Sequence, residues 1–96
     1  MDKSDILNYL KKHYQEFKEK YNVEQIGLFG SYARDEATKD SDIDIFVKMP
    51  PKAFDMLCIK ESLENTFSKD IDIVRIRDKM NPYLYKRIIK DGINVV

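Results

Sequence analysis

Cysteine and histidine are nearly absent from this sequence, and tryptophan is entirely absent. Cys58 is the only cysteine among 96 residues, so the chain can form neither an internal disulfide nor a zinc site built from several cysteines. With His13 as the only histidine, binding of soft metals is nearly excluded as well. No leader of charged and then apolar residues opens the chain, and no apolar run approaches the roughly 18 residues of a membrane helix. We therefore expect a cytoplasmic protein that has no membrane partner.

An excess of charge of one sign is also lacking, because 17 basic residues balance 17 acidic ones. Strong non-specific binding to nucleic acids needs many lysine and arginine contacts to phosphates, and a balanced chain has few to spare. The balance is nevertheless uneven along the sequence. Residues 24–47 hold six acidic residues against two basic ones, a net charge of −4, whereas Lys86, Arg87 and Lys90 outnumber Asp91 in residues 80–96. The acidic stretch requires an explanation.

The length and the patterning of apolar residues predict one domain that spans residues 1–96 and contains both helices and strands. Ser4 is a possible N-cap of the first helix, Asn81 and Pro82 begin the last one, and Gly92 ends it. The predicted elements are, in order, a helix over 4–21, strands over 23–29 and 42–48, a helix over 52–67, a strand over 70–76, a helix from 81 to 92 and a short strand over 93–96. This order predicts an α/β (α+β) fold, with a mixed sheet of about four strands covered by helices.

The same patterns predict which side chains are buried. In the second strand, alternation places Ile43, Ile45 and Val47 on one face and Asp42 with Asp44 on the other. We also expect the apolar residues of the last two helices to lie on or near the side that packs against the sheet, although one tyrosine of the last helix could instead be exposed at a partner interface. These residues are Phe54, Leu57, Cys58, Leu63, Tyr83, Leu84, Tyr85 and Ile88.

A glycine-serine turn and a pair of aspartates form the pattern that carries chemistry. Gly30 and Ser31 follow the first strand, and after ten intervening residues the second strand opens with Asp42 and Asp44. Two carboxylates at positions i and i+2 of a strand share a face with Cα atoms roughly 6.5–7 Å apart, so both can reach one hard cation. The third strand can add Asp72 or, less readily, Asp70. A D-x-D pair alone is more often a solvated strand edge, but the whole pattern favours a site for a divalent metal.

The turn supplies the complementary half of such a site. A Gly30–Ser31 turn frees backbone N–H groups and a hydroxyl for phosphate oxygens. Phosphate donors that face carboxylates holding Mg²⁺ are the parts needed for displacement at phosphorus, in which two metal ions clamp the attacking and leaving oxygens. Composition and spacing therefore indicate metal-assisted phosphoryl chemistry, but they do not indicate the substrate.

At three segments the sequence resembles the nucleotidyltransferase superfamily of DNA polymerase β-like enzymes, and more closely its minimal nucleotidyltransferase (MNT) family. The segments are LFGSYARDEATKDSDIDIFV at 28–47, KDIDIVRI at 69–76 and NPYLYKRIIKDGINVV at 81–96. The resemblance implies a nucleotidyltransferase fold and the function of the MNT antitoxins, which transfer AMP from ATP to a tyrosine of a HEPN ribonuclease toxin encoded beside them.

The resemblance also implies roles for single residues. Gly30 and Ser31 would bind the phosphates of ATP, and Asp42, Asp44 and Asp72 would hold Mg²⁺, Asp72 also helping to deprotonate the attacking hydroxyl. Many members of the family carry glycine where this chain has Asp35, which could alter the turn or bring negative charge near the triphosphate.

Several alternatives stay open. Arg34 either neutralises a phosphate or forms a surface ion pair with a neighbouring acid, and Arg75 and Arg77 either lie on a solvated face or contact nucleotide or partner. The chain could also neutralise a toxin by binding alone. It could instead be a small-molecule nucleotidyltransferase of the antibiotic-modifying kind, which would need a helical partner to hold the acceptor. Because little of the chain is left to recognise an acceptor, we expect the working unit to be a complex.

Overall fold

The computed structural model describes residues 1–95 and contains three helices and a four-stranded sheet within them. The elements are α1 (Lys3–Tyr21), β1 (Gln25–Phe29), β2 (Ile43–Lys48), α2 (Ala53–Phe67), β3 (Ile71–Arg75), α3 (Pro82–Asp91) and β4 (Ile93–Asn94). The predicted order of elements is confirmed, and of the predicted last strand only residue 96 lies outside the described residues. No helix in this part of the chain is both long and apolar enough to cross a membrane.

The sheet is mixed, with the strand order β3-β2-β1-β4. Strand β1 pairs antiparallel with β2 and with β4, whereas β2 and β3 are parallel and are joined through α2. This parallel pairing is what brings the two aspartate-bearing strands side by side, with Asp44 directly opposite Asp72.

The two faces of the sheet pack against different helices. Ile43, Ile45 and Val47 are fully buried, as predicted, in the larger core that α1 and α2 cover. The other face carries a smaller cluster in which Phe29 and Phe46 pack with Met80 and with Ile88 of α3. Asp44 is also on this second face, because side chains alternate along a strand.

The start of α1 differs from the prediction. Its N-cap is Asp2 and not Ser4, because the Asp2 carboxylate accepts a hydrogen bond from the Asp5 amide while the Asp5 carboxylate accepts one from the Asp2 amide. The prediction for α3 is confirmed. The Asn81 side chain accepts hydrogen bonds from the amides of Tyr83 and Leu84, and the Gly92 amide donates to the carbonyl of Ile88.

Several residues predicted to pack are instead in contact with solvent. On α2, Ile59 and Leu63 fill the contact with the sheet, so Phe54 and Leu57 remain exposed and Cys58 is half-buried. On α3, Ile88 is buried and Leu84 half-buried, whereas Tyr83 and Tyr85 are exposed. The cause is the same in both helices: the apolar residues outnumber the positions on the one face that contacts the sheet.

Candidate active site

The glycine-serine turn lies directly against the first candidate carboxylate. Gly30 follows the last residue of β1 with φ of +78°, a left-handed conformation that glycine adopts without strain. A Cβ atom at this position would overlap the carboxyl group of Asp44. Glycine is therefore required at residue 30 both for the turn and for the position of the Asp44 side chain.

The turn after Gly30 leaves backbone donors available. The amides of Arg34 and Glu36 donate to the carbonyls of Gly30 and Ser31, at 3.2 and 2.9 Å. Within residues 1–95, the amides of residues 31–33 donate no backbone hydrogen bond. Free N–H groups in such a turn are suited to binding the oxygens of an anion.

Asp44 and Asp72 lie at the centre of the three candidate carboxylates, and Asp42 is the third. They are paired in register across β2 and β3, and Phe29 lies opposite Asp44 on its other side, in β1. Asp44 is half-buried, whereas Asp42, just before β2, and Asp72 are exposed. Burial raises the pKa of the Asp44 carboxyl above its ordinary value, and the nearby Asp72 carboxylate raises it further.

Weaker influences on the Asp44 pKa identify the other charged groups nearby. Arg87 lowers this pKa, Asp42 raises it and Arg34 lowers it. Two aspartates and two arginines therefore act on the Asp44 carboxyl at this end of the sheet. Because the net shift is upward, the Asp44 carboxylate is held in a position where its charge is unfavourable until a cation approaches.

The donor set fits Mg²⁺ when the substrate shares the coordination. Among residues 1–95, no cluster of three or more aspartate, glutamate, histidine or cysteine side chains is arranged to hold a metal ion by itself. Mg²⁺, however, is usually bound through one or two carboxylates together with substrate phosphates, and not in a cage built from protein alone. The register-paired Asp44 and Asp72, next to a turn with free amides, match that mode of binding.

Arg34 lies beside the site with its guanidinium already paired. It contacts the carboxylates of Asp91 at 2.7 Å and Glu36 at 3.1 Å. The hydrogen bond to Asp91 is the largest cause that raises the pKa of Arg34 above its ordinary value. The pair with Glu36 is one of the surface pairs that the sequence left open. The pair with Asp91 joins the turn to the end of α3, and the sequence did not indicate it.

Asp35 occupies a position suited to glycine. Its φ of +59° is left-handed, a conformation that aspartate adopts more readily than most residues. Its carboxylate pairs with the Lys3 ammonium at 2.9 Å, at the start of α1. Asp35 therefore preserves the turn, and the Lys3 ammonium of α1 offsets its negative charge.

The remaining candidates lie away from this centre. Asp70 is exposed and precedes β3, where its carbonyl accepts a hydrogen bond from the Ile43 amide. Arg75 donates through Nε to the carbonyl of Met49 at 2.8 Å, which ties β3 to the residue after β2, and Arg77 is exposed.

Sequence reasoning did not identify Arg87 as a site residue. Its guanidinium carbon lies 5.8 Å from the centre of the Phe29 ring, next to Asp44. The indication available in the sequence was the basic character of residues 80–96, but only the packing of α3 on β1 shows which of its cations reaches the site.

Comparison with known proteins shows the family to which the chain is similar. The family model described as polymerase beta nucleotidyltransferase matches residues 5–96. A relative from Methanocaldococcus jannaschii, named as a putative protein adenylyltransferase, is 41% identical over 96 residues, and the match covers 96% of both chains. The protein adenylyltransferase MntA of Thermococcus cleftensis is 31% identical over 93 residues, covering 95% of this chain and 93% of that one.

Solved structures agree at the level of the fold. A structure described as a minimal nucleotidyltransferase superposes with a TM-score of 0.76 at 27% identity, covering 97% of this chain and 95% of the other. A chain from the complex of a tri-AMPylated Shewanella oneidensis HEPN toxin with MNT antitoxin superposes with a TM-score of 0.70 at 22% identity, covering 98% and 71%. These matches, together with the glycine turn and the paired aspartates, show that the chain belongs to the polymerase beta nucleotidyltransferase family, in its minimal nucleotidyltransferase branch.

Proposed function

We propose that this protein transfers AMP from ATP to a tyrosine hydroxyl of a HEPN-type toxin encoded beside it, and so acts as the antitoxin. The observation that carries the proposal is the contact of Gly30 with the Asp44 carboxylate, with Asp72 in register beside it. The protein adenylyltransferases among its relatives, and the AMPylated toxin in the matching complex, support the choice of donor and acceptor. ATP and an unpaired cysteine also suit a cytoplasmic location, which we propose with it.

The reaction places a different demand on each part of the site. The tyrosine oxygen forms a bond to the α-phosphorus of ATP while the bond from that phosphorus to the β-phosphate oxygen breaks. Pyrophosphate leaves with the bonding electrons, and the hydroxyl proton goes to a carboxylate or to water. In our proposal the exposed Asp72 accepts that proton, and the amides of residues 31–33, which donate no backbone hydrogen bond in the described chain, hold phosphate oxygens.

Mg²⁺ bound by Asp42, Asp44 and Asp72, in our proposal as two ions, would neutralise phosphate charge and align the attacking and leaving oxygens. Even without the metal, the chain's residues have clear tasks. Gly30 allows the Asp44 carboxylate to lie against the turn, and Arg34 ties the turn to α3 through Asp91. The turn and the carboxylates are therefore held at a fixed spacing before substrate binds.

The acceptor must come from the partner. In the described residues, α3 leaves Tyr83 and Ile89 exposed, at 71% and 67%, on the side of the sheet that bears Asp44. Large exposed apolar side chains near a site are typical of a protein-binding surface. This supports a working unit in which the toxin covers the α3 side of the sheet and presents its tyrosine.

The test is the transfer of label from ATP to the neighbouring gene product. Purified protein, Mg²⁺, ATP labelled at the α-phosphate and the partner should give labelled partner, with the label on tyrosine. Asp42→Asn combined with Asp44→Asn should abolish the labelling. Asp40→Asn is the matched control, because Asp40 is an exposed acid of the same loop that has no part in the site. An unlabelled partner, or labelling that survives the double substitution, would overturn the proposal.

The main rival is neutralisation of the toxin by contact alone. Protection of cells by the Asp42→Asn, Asp44→Asn variant, at a level equal to that of the parent chain, would favour this rival. The same variant must be shown to fold, for which thermal unfolding followed by circular dichroism is suitable, since the chain has no tryptophan to report by fluorescence.

A further inference from the structure

A basic groove lies between α3 and the glycine-serine turn. It is lined by Arg34, Tyr83, Lys86, Arg87, Lys90 and Asp91, with a volume of about 480 Å³. Asp91 is committed to Arg34, at 2.7 Å. Lys86, Arg87 and Lys90 form no ion pair within residues 1–95, so the groove presents three cations without an ion-pair partner in the described chain.

Arg87 is the member of this group closest to the chemistry. It is half-buried, and its guanidinium lies 5.8 Å from the centre of the Phe29 ring. Phe29 is itself buried and is the register partner of Asp44. A guanidinium supported by an aromatic ring has few conformations available, so its fork of donors is already oriented before a ligand arrives.

We propose that Arg87, with Lys86 and Lys90, binds the β- and γ-phosphates of the nucleotide and holds the pyrophosphate that leaves. A guanidinium matches phosphate oxygens with two parallel hydrogen bonds, which favours a phosphate ligand. The inference rests on the proposed function, because it extends the site from the α-phosphate, where AMP is transferred, to the part of ATP that departs.

The distribution of charge favours a nucleotide over an acidic peptide. Arg87 lines the groove, and the neighbouring end of the sheet carries Asp44 and Asp72. An acidic peptide would be repelled by those carboxylates. A nucleotide triphosphate with bound Mg²⁺ presents a cation to the aspartates and an anionic tail to α3, and so complements both ends.

In the transfer step, Arg87 acts on the leaving group only. The acceptor oxygen bonds to the α-phosphorus, the bond to the β-phosphate oxygen breaks, and negative charge grows on the departing pyrophosphate. A cation held beside that oxygen stabilises the developing charge. The site of attack, the turn and the aspartates are unchanged by this assignment.

Binding can be measured without a partner and without transfer. Isothermal titration of ATP, pyrophosphate and AMP, each with Mg²⁺, should be compared for the parent chain and for Arg87→Met. We expect Arg87→Met to weaken the binding of ATP and of pyrophosphate by about 10- to 100-fold, because charged hydrogen bonds are lost. The affinity for AMP should change by less than about 3-fold. Arg87→Lys, which keeps the charge but loses the fork, should fall between the two.

Arg77→Met is the matched control, because Arg77 is an exposed arginine that lines a different groove. It should bind all three ligands as the parent chain does. Unchanged ATP affinity in Arg87→Met, or equal losses for ATP and AMP, would overturn the inference. If Arg87→Met fails to fold, the loss of pyrophosphate affinity in Arg87→Lys decides instead. A chain that binds ATP through Arg87 but labels no protein would leave this inference intact and remove the proposed function.

Discussion

Replacing Gly30 with alanine separates the stability of the fold from the chemistry of the site. Gly30 has φ of +78°, and a left-handed conformation costs a residue with a side chain about 1–2 kcal/mol. For a domain of this length, that cost lowers the unfolding midpoint by about 4–16 °C. The added methyl group also overlaps the Asp44 carboxyl, which must move away from the turn. We therefore expect Gly30→Ala to remain folded at low temperature but to lose at least about 100-fold in AMP transfer, the scale at which misplaced catalytic groups act.

Gly27→Ala provides the matched control. A Cβ atom at Gly27 would overlap the Phe46 ring and the Ile93 carbonyl, with no carboxylate among its nearest neighbours, and such overpacking costs about 1–3 kcal/mol. The two variants should therefore have similar unfolding midpoints but very different rates. The assay is circular dichroism for the midpoint, followed by transfer measured at a temperature where both are folded. Equal rates in the two variants would refute the assigned role of Gly30, as would a Gly30→Ala protein as active as its parent.

Three further substitutions test the electrostatics and the attachment of α3. Burial and Asp72 raise the pKa of Asp44, so the folded protein binds more protons than the unfolded chain, and stability falls as pH rises through the window between the ordinary and the raised pKa. Asp44→Asn should therefore raise the unfolding midpoint of the metal-free protein at pH 7, with a smaller gain below that window; a lower midpoint at pH 7 would contradict it. Asp91→Asn removes a charged partner of Arg34 and should lower the unfolding midpoint, by less at high salt than at low salt because salt screens the pair, and an unchanged midpoint at low salt would contradict this role. Asn81→Ala removes the cap of α3 and should cost about 1 kcal/mol, whereas the exposed Asn65→Ala should cost less than half of that.

Local patterns predicted the elements and the positions in the fold of the central residues of the candidate site. The alternation in β2 distinguishes Ile43 and Ile45 from Asp44 because the two faces of the strand meet different surroundings, and the structure places them accordingly. The sequence also predicted Asn81 and Gly92 as the caps of α3, because a cap satisfies backbone groups only a few residues away. These features depend on short stretches of sequence.

The features that were missed depend on how distant segments pack. The pair of Arg34 with Asp91 spans 57 residues, and the contact of Arg87 with Phe29 requires α3 to lie on β1. Nothing in either local sequence specifies that approach. The prediction that Phe54 of α2 packs against the sheet was wrong for a related reason. Periodicity shows that a helix has an apolar side, but it does not show how wide a contact the sheet offers.

The alternation in β2 also protects the pairing of the strands. If β2 slipped by one residue, Asp44 would turn into the core now filled by Ile43, Ile45 and Val47, which are 0% exposed. Burying an ionised carboxylate there would cost several kcal/mol, and the isoleucines would be left facing α3 and solvent. The aspartates proposed to act in the chemistry thus also destabilise misfolded alternatives. The residues that we propose act on a nucleotide therefore also fix the register of β2 in the sheet.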